Sequence, residues 1–112
     1  MIKKPTTVLQ YLEYFLAQRK RMINTQITKS TYGTYIRRKN NIIAFLEKNS
    51  MSGCLPVDIS IQVIREFEVY LIGEKKYTND YSMKCIQILA RVLKLALENK
   101  DILTNPIDLY NY

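Results

Sequence analysis

Four polar side chains, Lys84, Gln87, Arg91 and Lys94, recur every three or four residues through an otherwise apolar stretch from Asp80 to Asn99. On an α-helix they fall within an arc of roughly 80°. Lysine and arginine bring positive charge and hydrogen-bond donors, and glutamine can match the edge of an adenine. The stripe therefore has the chemistry of phosphate and base contact: Lys84 and Lys94 suit phosphates, Gln87 and Arg91 suit bases. No acid lies between Lys84 and Glu98, whereas a solvated helix face usually mixes signs. This favours a polyanionic partner over a plain solvated face, which would show the same spacing. A second group lies upstream. Lys29, Thr31 and Thr34 stand near the start of a predicted helix, where free N–H groups and the helix dipole favour a phosphate; Thr31 can equally be the N-cap. Arg37, Arg38 and Asn41 follow on its exposed side. Arginine and asparagine suit guanine and adenine edges, with backbone positioning as the default role.

Four amphipathic helices are predicted to carry these residues, at about 7–24, 31–49, 60–73 and 80–99, with no strand alternation. The first is capped by Thr6 or Thr7 and buries Val8, Leu12, Phe15, Leu16 and Ile23 at helical spacing. Its last turn holds Arg19, Lys20 and Arg21, which suit either the helix dipole or DNA. The second starts after Ser30 or Thr31 and turns Tyr32, Tyr35, Ile36, Ile42, Ile43 and Leu46 inward; Gly33 in its first turn permits close backbone approach. A breaker-rich loop, Ser50 to Pro56, precedes the third helix, capped by Ser60, with Ile64, Phe67 and Leu71 inward. The fourth, capped by Thr78 or Asn79, buries Ile86, Leu89, Leu93, Ala96 and Leu97, while Ile88 and Leu95 border its polar stripe and face either another helix or a further partner. Residues 100–112 read as the start of a linker, with Pro106 restricting Asn105. The fold class is all-α, a small orthogonal four-helix bundle in a single domain.

The chain has 112 residues, 17 Lys+Arg against 10 Asp+Glu, and a net charge of +7, a balance that favours nucleic acid. The charge is uneven. Between Lys29 and Lys48 five cations face one acid, whereas from Ser60 to Glu74 Arg65 stands alone against three glutamates. No apolar run approaches the ~20 residues of a membrane span, and the N-terminus does not read as a signal peptide. A soluble, cytoplasmic protein without membrane contact is expected, with Cys54 and Cys85 as free thiols. The sequence has no histidine, so the commonest general base and metal ligand are missing. No metal site, cofactor or catalysis by this chain alone is expected; Glu66 and Glu68 point to different sides of a helix.

Three stretches, in order, resemble a known family. They are Thr31-Tyr32-Gly33-Thr34-Tyr35 with Ile42-Ile43-Ala44-Phe45-Leu46; Ile64 to Leu71, similar to the "FexYL" signature; and Ile86, Leu89, Leu93 and Ala96, then Ile102 and Asn105-Pro106-Ile107. Together they resemble the core-binding, SAM-like domain of tyrosine recombinases and phage-type integrases, particularly the Bacteroides type. The resemblance implies a domain that clamps one face of a recombination-site duplex through its second and fourth helices, serving DNA integration or recombination. Strand cleavage would belong to a separate catalytic domain, and Tyr110 and Tyr112 are not its nucleophile. Two positions depart from the family pattern: Tyr81 stands where a small hydroxyl residue is common, and Cys85 where an aromatic is common. Ser82 is then the candidate for the hydroxyl contact at that helix start. The partner implied is double-stranded DNA, bound by a monomeric isolated domain whose full-length protein assembles on DNA. A helical protein-interaction module with an acidic partner and a small helix-turn-helix regulator remain the alternatives.

Overall fold

The computed structural model describes residues 4–110; Met1–Lys3 and Asn111–Tyr112 lie outside the described residues, and with them the readings of the basic N-terminus and of Tyr112. Four α-helices follow one another: α1 (Val8–Lys20), α2 (Lys29–Lys48), α3 (Ile61–Val69) and α4 (Asn79–Glu98). Short 3₁₀ turns at Pro56–Asp58 and Pro106–Leu109 punctuate the loops. Each α-helix opens on a hydroxyl cap in extended conformation: Thr7, Thr28, Ser60 and Thr78 accept from the N–H three residues on. Thr7 and Gln10 complete a reciprocal capping box, which satisfies two N–H groups that the first turn would otherwise leave open.

α4 is the axis of the bundle and packs against α1, α2 and α3. It buries Ser82, Cys85, Ile86, Ile88, Leu89, Val92, Leu93 and Ala96, so Ile88 belongs to the core, and Leu95 is half-buried against it. The expected inward residues of α3, Ile64, Phe67 and Leu71, are buried. α2 places Ile42, Phe45 and Leu46 in the core, while Tyr32, Tyr35 and Ile43 pack at its edge. Phe45 meets the rings of Phe67 and Tyr70 at centroid distances of 5.0 and 5.5 Å, tying α2 to α3.

The boundaries differ from the sequence reading in three places. α1 stops at Lys20 rather than near Asn24, because the N–H groups of Thr25, Gln26 and Ile27 all return to the Met22 carbonyl and Asn24 takes φ 72°, a left-handed conformation that asparagine tolerates. α2 starts two residues early: Thr28, not Ser30 or Thr31, is its cap. α3 passes into a π-helical turn at Tyr70–Glu74, where Lys75 N–H donates to the Tyr70 carbonyl. Tyr70 and Leu71 within that turn are both buried.

Residues 100–110 pack against the helical body. The chain leaves α4 through a Schellman turn, with Lys100 at φ 65° and Asp101 N–H returning to the Ala96 carbonyl at 2.8 Å. Ile102, Asn105 and Tyr110 are then buried, and the Pro106–Leu109 turn packs on α3.

Candidate nucleic-acid interface

Along α4 the exposed residues from Asp80 onward are Asp80, Lys84, Gln87, Arg91, Lys94 and Glu98, and every position between them is buried or half-buried. The amphipathic period thus sorts the helix into a core side and one narrow outward row. Lys84 pairs with Asp80 at 3.1 Å across one turn, both side chains largely exposed; such pairs contribute little and exchange readily. Arg91 and Lys94 make no ion pair among the described residues. Lys94 and Glu98 have the less favourable i,i+4 order, cation first.

On α2 the first turn carries Lys29 and Thr31 and contains no acid. Thr31 donates its N–H to Thr28 Oγ1 at 3.1 Å, so it lies inside the helix rather than capping it. Thr34 Oγ1 donates to the Ser30 carbonyl and accepts from Arg37 Nη2 at 3.2 Å. The Arg37 guanidinium lies back along the helix, and a Cβ placed on Gly33 would stand 3.8 Å from its Nη1. Lys29 and Arg37 are exposed; Thr31 and Thr34 are half-buried.

Three of the proposed contact residues have other surroundings. Ser82 is fully buried and its Oγ has no partner among the described residues, so it does not present a hydroxyl at the helix start; one residue of helical rotation turns it inward. Asn41 is engaged at both ends of its amide: Nδ2 donates to Tyr81 Oη at 3.1 Å and to the Arg37 carbonyl at 3.3 Å, while Oδ1 accepts from Tyr77 Oη at 3.2 Å. It clamps α2 to the start of α4 and has no free amide edge for a base. Arg38 is half-buried, its guanidinium 5.8 Å from the Tyr35 ring centroid and its Nε buried without a partner among the described residues.

Burial, above all, raises the Cys85 thiol and the Tyr81 phenol above their ordinary values. Both stay protonated at neutral pH, and Cys85 is an inert core group rather than a nucleophile. Cys54, half-buried, is likewise raised by burial first and by Asp58 second. Both cysteines are free thiols.

One cation outside the expected set joins the stripe. Arg19, in the last turn of α1, lines a groove with Arg91 and Lys94. Its guanidinium lies 5.0 Å from the Phe15 ring centroid, Phe15 meets Tyr35 edge-on at 6.0 Å, and Tyr35 carries Arg38. A run of arginine and aromatic side chains therefore crosses from α2 over α1 towards the C-terminal half of α4. The sequence showed Arg19 only as one of three cations at a helix end; its nearness to Arg91 depends on how α1 and α4 pack.

A family model described as the phage integrase SAM-like domain matches residues 7–112 of this all-α chain. The chain belongs to that family. No curated protein and no solved structure matches it. In this phage integrase SAM-like domain, Tyr81 and Cys85 are α4 residues that face Asn41: Tyr81 Oη lies 3.1 Å and Cys85 Sγ 3.9 Å from its Nδ2. Among the described residues no cluster of His, Cys, Asp or Glu could hold a metal ion, and no helix is long and apolar enough to cross a membrane.

Proposed function

We propose that this SAM-like domain binds duplex DNA as the core-binding part of a tyrosine recombinase, holding the recombination-site duplex during integration or recombination in the cytoplasm. The observation that carries the reading is the outward row of α4, where Lys84, Gln87, Arg91 and Lys94 are the exposed residues between Asp80 and Glu98. A partner on that row meets three cations and one amide. Lys29 and Arg37 add charge on α2, with Thr31 and Thr34 beside them at a helix start that favours anions. Lys84 and Lys94 serve phosphates and Gln87 reaches a base edge; Asn41 and Arg38 support the surface from behind, and Ser82 takes no part.

Strand cleavage by a tyrosine recombinase needs activating Arg and His residues around its tyrosine. The chain has no histidine, and Tyr110 is buried at the end of the described structure. Cutting is therefore assigned to a catalytic domain and holding to this one, with assembly into a larger complex occurring on the DNA.

Charge reversal tests the reading. The quadruple variant Arg37→Glu, Lys84→Glu, Arg91→Glu, Lys94→Glu changes four exposed positions and leaves Arg38 on its ring. It should keep its helical circular dichroism and lose duplex binding in fluorescence anisotropy. Undiminished affinity would overturn the proposal; capture of an acidic protein with no duplex binding would favour the interaction-module alternative.

A further inference from the structure

The groove between the end of α1 and the C-terminal half of α4 brings Arg19, Arg91 and Lys94 together with Phe15 and Glu98. None of the three cations forms an ion pair among the described residues, although Glu98 shares the groove. Three positive charges against one negative leave the groove cationic, and like charges lining one groove repel one another unless an anion lies between them. Arg19 is also restrained: its guanidinium rests over Phe15 and its Nη1 lies 3.7 Å from Met22 Sδ. A guanidinium fixed by stacking gives up little freedom on taking up an oxyanion.

We infer that Arg19, Arg91 and Lys94 form one seat for a single backbone phosphate of duplex DNA. This rests on the DNA-binding reading and deepens it in two ways. It adds α1 to the contact surface, and it moves Arg91 from base edge to phosphate. The two arginines supply planar forks and Lys94 a point charge, the combination that grips a tetrahedral oxyanion from several sides. On this arrangement α1 sets how far the duplex can slide along α4.

The number of phosphates released distinguishes a shared seat from scattered charges. Each neutralised phosphate contributes about 0.9 to the slope of log K against log salt. The triple variant Arg19→Gln, Arg91→Gln, Lys94→Gln should therefore flatten the slope by about 0.9, because only one phosphate is given up. A loss near three times that value would mean three separate phosphates and overturn the shared seat with DNA binding intact. An unchanged slope would place the groove off the interface and overturn the seat in the same way. Absence of duplex binding by the unsubstituted domain would overturn both the seat and the reading beneath it. A second measurement needs no variant. On titration with a short duplex, the side-chain Nε–Hε signals of Arg19 and Arg91 should shift with the same saturation curve; a silent Arg19 would overturn the seat.

Discussion

Asn41 shows what a single amide does in this domain. It accepts from Tyr77 and donates to Tyr81, whose rings meet edge-on at 4.9 Å, so three side chains close the corner where α2 meets the start of α4. Asn41→Ala removes the partner of two half-buried hydroxyls and is expected to lower unfolding stability by about 1–3 kcal/mol, read by thermal or urea unfolding. A full-stability variant with lost duplex affinity would instead make Asn41 a base reader. Asp101 performs a comparable task at the other end of α4. It accepts from Lys4 Nζ at 2.6 Å and from the buried Tyr11 hydroxyl, which also accepts from Asn99 at 3.2 Å. The Lys4 hydrogen bond first, and the Tyr11 hydrogen bond second, hold its carboxyl below the usual aspartate value. Its proton is thus taken up more readily in the unfolded chain. The stabilisation is complete above the ordinary value of about 3.9 and is lost as pH falls through the lowered folded value. Urea unfolding at pH 7 and again below pH ~3 should show Asp101→Asn less stable at neutrality by about 1–2 kcal/mol and closer to the parent in acid. Equal loss in both proteins would count against the contact.

At the scale of the helix, ends and faces were legible to different degrees. The outward row of α4 could be read because a single period fixes it: apolar residues three and four apart leave one set of positions for solvent. The core side of α3 followed from the same rule at Ile64 and Phe67. The start of α2 was ambiguous because Thr25, Thr28, Ser30 and Thr31 all carry cap-competent hydroxyls, and only the backbone conformation selects Thr28. The π turn at Tyr70–Glu74 leaves no mark on the apolar spacing, because adjacent buried residues also occur within the regular helices, as at Phe45–Leu46 and Ile88–Leu89. The surroundings of Asn41 and the nearness of Arg19 to Arg91 were not legible for a different reason: their partners lie 36 or more residues away in sequence. The end of α2 gives an element-scale prediction. Ser50 sits at φ 57° in a Schellman turn, with Met51 N–H donating to the Leu46 carbonyl at 2.7 Å. Glycine has no Cβ to oppose that conformation, so Ser50→Gly is expected to stabilise the domain by about 1 kcal/mol. A lower unfolding midpoint would contradict it.

Across the whole molecule, charge is segregated by element. The body measures 37 × 31 × 25 Å, and its basic residues concentrate on α2, on the end of α1 and along α4, while α3 exposes Glu66 and Arg65 and half-exposes Glu68. Lys48 is spent on Glu74 at the far end of α2 and over the Tyr70 ring, away from the proposed seat. The groove that gathers Arg19, Arg91 and Lys94 without an ion pair among the described residues carries a cost in self-repulsion, and a bound polyanion would relieve it. The same feature makes affinity depend on salt. Binding of the 112-residue chain to a short duplex, followed by anisotropy across a salt series, decides whether the domain holds DNA through its phosphates. If four to six phosphates are neutralised, log K should fall with log salt at a slope of about −4 to −5, with micromolar or weaker affinity at physiological salt. A slope near zero, or no duplex binding at low salt, would contradict it.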